Sequence, residues 1–243
     1  MNLALDIGNT AVKAGIFEQD RLLETFRFNH FNYQRILHLV ARYAVDHVIF
    51  SSVRRESFPA ISRFSRHVKT LRELTPQTPL PINNLYETPE TLGNDRLAAV
   101  IGGQALFPNH HLLVMDAGTA LTIDFLHGSG SYLGGNISPG LTLRFESLHQ
   151  ATGRLPRLEP QKNVPPLGKN TREAIAAGVQ HGIIYEINQY INYFTEVYGS
   201  VKVLLTGGDC NFFDNKLNCP IFVEPNLVLM GLNKILKYNI YAR

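Results

Sequence analysis

The sequence predicts an α/β fold built from two duplicated lobes, each organised around a mixed sheet. An apolar strand ends in Asp6-Ile7-Gly8 and a second apolar run follows at once, which is typical of a tight β-hairpin. The same design begins again at Asp116-Ala117-Gly118, and runs with strand and helix periodicity follow each hairpin. Two equivalent lobes explain this internal repeat most economically, and we expect them at residues 1–112 and 113–243.

The first lobe opens with the hairpin, a third strand and an amphipathic helix. From Tyr33 onward, apolar side chains recur at the spacing of a helix that buries one face. Four prolines between residues 76 and 89 interrupt regular structure until a clear helical pattern begins at Asn94. The predicted strands span 3–7, 12–17, 22–28, 47–53 and 68–74, and the predicted helices start at Tyr33, span 57–67 and start at Asn94.

The second lobe repeats the order of strands and then becomes mainly helical. Its first strand begins at His111 and ends at the second Asp-x-Gly triplet. Further strands are predicted at 121–126, 132–137, 201–205 and 221–223, and helices at about 140–151, at 171–197 and from Asn226 to the end.

The composition is that of an ordinary globular protein, with 44% hydrophobic residues and a formal net charge of +3. No apolar run approaches the roughly 20 residues that cross a bilayer. The first residues do not resemble a signal peptide, so we expect a cytoplasmic protein without a membrane span. Cys210 and Cys219 lack metal-site spacing, and we interpret both as reduced thiols.

A basic segment at residues 54–72 contains six lysine and arginine residues and one acid. Nucleic-acid readers usually interleave such cations with exposed aromatic side chains or carry a recognisable motif. Neither feature is present, so we interpret this segment as a solvated helix face and expect no nucleic-acid partner.

The repeated Asp-x-Gly loops have the features of phosphate-binding sites. A sharp glycine turn exposes backbone N–H groups that bind phosphate oxygens, and Gly8 and Gly118 permit such an approach. Thr10 and Thr119 add hydroxyl donors, and Lys13 adds a positive charge in the first loop only. A single loop of this type is more often an ordinary hairpin turn, but two equivalent copies favour a nucleotide site.

The two aspartates of these loops require a separate explanation. A carboxylate beside phosphates is repelled unless a cation lies between them, so Asp6 and Asp116 are candidate cation ligands, and a bound nucleotide implies Mg²⁺. Competing nucleotide signatures are absent, because Gly168-Lys169 is followed by asparagine and no GxGxxG occurs. A third loop, Thr206-Gly207-Gly208-Asp209, is either a close approach for adenine or ribose or a simple left-handed turn.

The segment Gly93-Asn94-Asp95-Arg96 stands at the start of a predicted helix. Asn94 as a helix cap and Asp95 as a complement to the helix dipole are one interpretation. The other is chemical: a carboxylate orients an attacking hydroxyl group and accepts its proton, while an arginine binds a carboxylate of the substrate.

Taken together, these motifs resemble those of the type III pantothenate kinases, which belong to the acetate and sugar kinase, heat-shock protein and actin superfamily. The resemblance covers about residues 1–210 in order: 6–13, 93–96, 116–124, 134–140, Asn170-Thr171 and 206–209. It implies two ribonuclease H-like lobes around an interlobe nucleotide cleft, and phosphorylation of pantothenate by ATP, the first step of coenzyme A biosynthesis.

The resemblance also implies roles for single residues. Asp95 is the expected proton acceptor, Asp116 the expected ligand of a monovalent cation, K⁺ or NH₄⁺, and Asp6 the expected ligand of Mg²⁺ through water. The residues expected to bind ATP are Asp6, Ile7, Gly8, Asn9, Thr10, Ala11, Val12, Lys13, Thr119, Gly207 and Gly208. The residues expected to bind pantothenate are Tyr86, Gly93, Asn94, Asp95, Arg96 and Thr171, the last from the partner protomer of a homodimer.

Two alternatives stay open at this point. The first is another kinase or phosphohydrolase of the same superfamily, since a fold does not determine a substrate. The second is a nucleotide-binding accessory factor in transcription, which only the basic segment supports. The pair Asp95 and Arg96 favours catalysis, because a regulator has no use for a proton acceptor.

Overall fold

The computed structural model describes residues 1–8, 10–52 and 61–241. The chain forms two compact units: unit 1 contains Met1–Pro108, Gly130–Leu133 and Asn226–Arg243, and unit 2 contains Asn109–Ser129 and Gly134–Pro225. Both units are therefore discontinuous in sequence, whereas the boundary expected near residue 112 is a single cut.

The described residues form eleven strands and six α-helices. The strands β1 to β11 are Asn2–Ile7, Val12–Glu18, Arg21–Phe28, His47–Ser52, Thr70–Glu73, Asn83–Asn84, His111–Ala117, Ala120–Leu126, Ser131–Pro139, Val201–Thr206 and Ile221–Val223. The helices α1 to α6 are Tyr33–Arg42, Asn94–Leu106, Leu141–Ala151, Thr171–Tyr198, Cys210–Phe213 and Leu227–Tyr241.

Most of these elements lie where the sequence predicts them. The two-residue strand β6 and the four-residue helix α5 were not predicted, because both are too short to show periodicity. Of the helix predicted at 57–67, residues 57–60 lie outside the described residues, and Arg63–Arg66 forms a 3₁₀ turn.

The two units contain sheets with the same strand order, which confirms the duplicated α/β fold. Unit 1 has the order β3-β2-β1-β4-β5, and in unit 2 the matching order is β9-β8-β7-β10-β11. The central strand of each sheet pairs antiparallel with the strand that follows it and parallel with the strand on its other side. Because these antiparallel pairs are joined by the two hairpins, each Asp-x-Gly loop connects a central strand to its antiparallel neighbour. In unit 1, β6 also pairs with the first residues of β9.

Two glycines bring the helices α2 and α6 of unit 1 into close contact. One face of the sheet in unit 1 packs on α1, whose buried residues are Ile36, Leu39 and Val40. On α6, a Cβ at Gly231 would lie 1.7 Å from the carbonyl oxygen of Ala98 on α2. On α2, a Cβ at Gly102 would lie 2.3 Å from the carbonyl oxygen of Leu227 on α6. Only glycine permits this backbone contact, and the contact sets the position of α2.

The core of unit 2 lies between its sheet and the helices α3 and α4. The start of α4 is well capped: the Asn170 side chain accepts a hydrogen bond from Glu173 N–H, and the Glu173 side chain accepts one from Lys169 N–H. Across the described ranges, no helix is both long and apolar enough to cross a membrane.

Candidate active site

The first Asp-x-Gly loop joins β1 to β2 in unit 1. Asp6 lies in register with Lys13 on β2 and with Ser51 on β4. The amide of Gly8 donates to the carbonyl oxygen of Ala11 at 3.0 Å. The hairpin itself therefore uses the Gly8 amide, and the predicted contact of Gly8 with ATP stays a prediction. Asn9 lies outside the described residues.

The predicted ATP contacts in this loop differ in what they can offer. Ile7 and Val12 are buried in the core of unit 1, so only their backbone atoms are available to a ligand. Thr10 is exposed, whereas Ala11 and Lys13 are partly buried. Polar side-chain contacts from the described part of this loop therefore come from Asp6, Thr10 and Lys13.

The second Asp-x-Gly loop joins β7 to β8 in unit 2. Asp116 lies in register with Thr122 on β8 and with Thr206 on β10. The amide of Gly118 donates to the carbonyl oxygen of Ala120 at 3.0 Å, so the hairpin uses this amide as well.

Gly140 packs directly against the backbone of the second loop. Its amide donates to the carbonyl oxygen of Thr119 at 3.0 Å. A Cβ at this position would lie 2.0 Å from the carbonyl oxygen of Gly118, so only glycine can occupy it. Thr119 itself is exposed, as a nucleotide contact requires.

The third glycine loop lies directly against the second in unit 2. Gly207 has φ +97°, so the left-handed turn is real. A Cβ at Gly207 would lie 2.4 Å from Asp116 Oδ1 and 2.3 Å from the carbonyl oxygen of Ala117. The amide of Asp209 donates to the same Ala117 oxygen at 2.9 Å. Gly208 is exposed, and burial raises the pKa of the Asp209 carboxyl group above its usual range.

The segment 93–96 forms the first turn of α2 in unit 1. Gly93 holds the cap position without a side-chain hydrogen bond, and Asn94 Nδ2 donates to the carbonyl oxygen of Leu74 at 2.7 Å. The interpretation of Asn94 as a helix cap is therefore wrong, because its side chain ties the start of α2 to the end of β5. Asp95 Oδ1 accepts a hydrogen bond from Arg96 N–H at 2.9 Å, and a Cβ at Gly93 would lie 2.5 Å from that oxygen.

Arg96 and Tyr86 lie together beside this turn. The Arg96 residue is only 5% exposed, and its guanidinium carbon lies 5.8 Å from the centre of the Tyr86 ring. The Tyr86 ring is in turn 6.2 Å from that of Tyr132. The aromatic face therefore restricts the position of the Arg96 guanidinium group.

Thr171, the remaining predicted substrate contact, is the first residue of α4 in unit 2 and is exposed. Sequence reasoning did not select Ser51 or Thr122 as site residues. Only the strand register identifies them as neighbours of the two aspartates. Among the described residues, no three His, Cys, Asp or Glu side chains form a cluster able to hold a metal ion.

Comparison with known proteins identifies the family. The model of the type III pantothenate kinases matches residues 2–193. The chain belongs to the type III pantothenate kinase family. It is therefore a kinase, as the residues of its two loops and of the first turn of α2 predict.

The relatives extend over the whole chain. The type III pantothenate kinase of Phocaeicola vulgatus is 44% identical over 239 residues, which cover 98% of this chain and 99% of that one. The type III pantothenate kinase of Cytophaga hutchinsonii is 39% identical over 241 residues, which cover 99% of this chain and 100% of that one.

Solved structures support the fold. A chain from Campylobacter jejuni, whose name assigns it to the Baf family of transcriptional activators, aligns with a TM-score of 0.64 and 23% identity over 98% of both chains. A ROK hexokinase from Thermus thermophilus aligns with a TM-score of 0.53 and 13% identity, over 98% of this chain and 99% of that one. At these identities the likeness concerns the fold alone, and it agrees with the two-lobed architecture of sugar kinases.

Proposed function

We propose that this chain transfers the γ-phosphoryl group of ATP to the hydroxyl group of pantothenate, giving 4'-phosphopantothenate in the first step of coenzyme A biosynthesis. Membership of the family supports the substrate. The observation that carries the chemistry is the first turn of α2, where the carboxylate of Asp95 is oriented beside the buried Arg96.

Asp95 is the proton acceptor in this mechanism. The hydroxyl oxygen of pantothenate forms a bond to the γ-phosphorus, the bond from that phosphorus to the bridging oxygen of ATP breaks, and the hydroxyl proton passes to Asp95. ADP leaves with the bonding electrons. A carboxylate performs this role when it lies within about 2.6–3.2 Å of the hydroxyl group.

The neighbours of Asp95 bind and orient the substrate. Arg96, held over Tyr86, binds the pantothenate carboxylate with two parallel N–H donors. Asn94 acts mainly by holding α2 against the end of β5, since its side-chain amide already donates to Leu74. Gly93 leaves the space that the Asp95 carboxylate occupies.

ATP is bound by residues 6–13 of the first loop and by Thr119, Gly207 and Gly208. Asp6 holds Mg²⁺ through water, and Asp116 holds a monovalent cation, K⁺ or NH₄⁺. The oxygen-bearing side chains that flank Asp116 in the sheet suit such an ion. When bound, these cations neutralise the negative charge that the phosphate oxygens develop.

The proposal further includes a homodimer in the cytoplasm, in which Thr171 contacts pantothenate bound by the partner protomer. The exposure of Thr171 at the well-capped start of α4 supports this role. Replacement of Thr171 by alanine should raise the KM for pantothenate and leave that for ATP unchanged. An equal rise in both constants, or a monomer in sedimentation experiments, contradicts this part of the proposal.

The decisive experiment is a coupled assay of ADP release with pantothenate, in K⁺ and then in Na⁺. We expect turnover in K⁺ and a fall in kcat of about 10²–10⁴-fold for Asp95→Asn, the range for loss of a general base. Glu90→Gln, which changes an exposed acid in the preceding segment, should keep wild-type activity. Absence of pantothenate-dependent ADP release from the wild type in K⁺ rejects the substrate.

The alternative role in transcription rests on the basic segment at 54–72, of which residues 54–60 lie outside the described residues. This role stays a prediction, and a DNA-binding titration tests it. Binding to DNA that weakens with salt, and that Arg63→Ala and Arg66→Ala reduce together, would support it.

A further inference from the structure

Three oxygen-bearing side chains form a row across neighbouring strands of the sheet in unit 2. Asp116 on β7 lies in register with Thr206 on β10 and with Thr122 on β8. Residues in register on adjacent strands point to the same face of a sheet. The row therefore places one carboxylate between two hydroxyl groups.

The hydroxyl group of Thr206 is the unusual member of this row. The residue is 1% exposed, and among the described residues its Oγ1 atom is buried without a hydrogen-bond partner. Native structures rarely leave a buried hydroxyl group in this state, and a bound ion is one of the recognised explanations. Because Thr206 lies in register with Asp116, an ion bound to its hydroxyl group would lie beside the Asp116 carboxylate.

The backbone beyond Thr206 brings the carboxylate close to it. Gly207 has φ +97°, and the space that its Cβ would occupy lies 2.4 Å from Asp116 Oδ1. The Asp116 carboxylate thus lies close to the backbone of the residue that directly follows Thr206 at the end of β10. A larger residue at 207 would displace it.

We propose that Thr206 Oγ1 is a direct ligand of the monovalent cation held by Asp116. This inference rests on the proposed function, which assigns the cation to Asp116. The two side chains offer one negative charge and one neutral oxygen, which suits a monovalent ion. Mg²⁺ by contrast favours carboxylates, waters and phosphate oxygens in strict octahedral geometry.

The test measures cation binding without turnover. The melting temperature is recorded as KCl replaces choline chloride at constant ionic strength, with Mg²⁺ and the non-hydrolysable analogue β,γ-imido-ATP and without pantothenate. The wild type should gain stability with K⁺ by mass action. Thr206→Val keeps the shape and removes the oxygen, so the apparent Kd for K⁺ should rise by at least about tenfold.

Two further variants separate a ligand role from a packing role. Thr206→Ser retains the hydroxyl group and should bind K⁺ within about threefold of the wild type, a difference below 1 kcal/mol by the usual conversion. Thr122→Val removes the hydroxyl group on the other side of Asp116 and should have the smaller effect. Thr206→Val should also melt no lower than the wild type in choline chloride, because it removes an unsatisfied polar atom.

Wild-type K⁺ affinity in Thr206→Val overturns the inference, as does a wild type whose melting temperature does not respond to K⁺. Its failure is distinguishable from that of the proposed function, which the pantothenate assay judges separately. If the wild type phosphorylates pantothenate while Thr206→Val binds K⁺ normally, only the role of Thr206 is wrong.

Discussion

The two Asp-x-Gly loops occupy equivalent places in two sheets of the same topology, yet their aspartates have different neighbours. In the first loop Asp6 lies in register with Lys13 and Ser51. In the second, the corresponding positions beside Asp116 are Thr122 and Thr206. The first aspartate therefore has a lysine in register beside it, whereas the second has a threonine hydroxyl group in register on each side. The two sheets therefore share a backbone topology but place different side chains beside the two aspartates, and the proposed division between a phosphate loop and a cation loop depends on this difference.

The loops also differ in the turns that pack against them, although not in their own glycines, since a Cβ at Gly118 would lie 3.5 Å from its nearest neighbour, Asp116 Oδ1. A Cβ at Gly8 would meet its nearest neighbour, the carbonyl oxygen of Ala11, at 3.3 Å, which a small adjustment relieves. A Cβ at Gly140 or Gly207 would meet backbone oxygens at 2.0 and 2.3 Å, respectively. The second loop is therefore packed between two other glycine turns and has less freedom to adjust than the first.

Removal of the Lys13 charge from the first loop should have the largest effect on activity. Lys13→Met should lower kcat/KM for ATP by about 10²–10³-fold, the usual cost of removing one preorganised electrostatic contact to a transition state. Steady-state kinetics with varied ATP measure it. Arg27→Met is the matched control, because Arg27 is an exposed cation in register with Lys13 on β3 and should retain activity. A similar loss in both variants would show that Lys13 acts only through the overall charge.

The next effect concerns the glycines. Gly207→Ala should lower the free energy of unfolding by roughly 3 kcal/mol or more, since it combines a left-handed backbone with a clash against Ala117. Gly8→Ala should cost about 1 kcal/mol or less. Urea denaturation followed by circular dichroism gives both values. Equal values for the two variants would mean that the enclosure of the second loop is not a real difference.

The smallest expected effect is a pH dependence of the folding stability, which comes from His111, the first residue of β7. Burial, and then the neighbouring His127, lower the pKa of His111 from its ordinary value of 6.5, and the His111 ring accepts a hydrogen bond from Gly128 N–H. The folded state therefore binds fewer protons than the unfolded state, so stability is lost as the pH falls from about 6.5 towards the lowered pKa.

Melting temperatures at pH 7.5 and 5.5 test this dependence. His111→Gln should show a smaller drop between the two pH values than the wild type. His38→Gln, which changes an exposed histidine on α1, should show the wild-type drop. An unchanged drop in His111→Gln would assign the acid sensitivity elsewhere, for example to His47 in unit 1, whose pKa is also lowered by burial.

Much of the fold was predictable because its signals are local. Strand and helix periodicity located the long elements, and the two hairpin motifs indicated the duplication that the sheets confirm. The short elements β6 and α5 carry no such signal. The contact of α6 with α2 in unit 1 depends on Gly231 and Gly102, which are far apart in sequence and carry no motif of their own.

By itself the sequence determined the family and the two loops, and it predicted Asp95 and Arg96 as site residues, because each of these is a contiguous motif. The tertiary structure decided which atoms are available. It showed that the amides of Gly8 and Gly118 are used within their own hairpins and that Asn94 holds α2 to β5. It also brought Thr206 beside Asp116. Strand register and backbone hydrogen bonds join residues that are distant along the chain, so no local pattern encodes them.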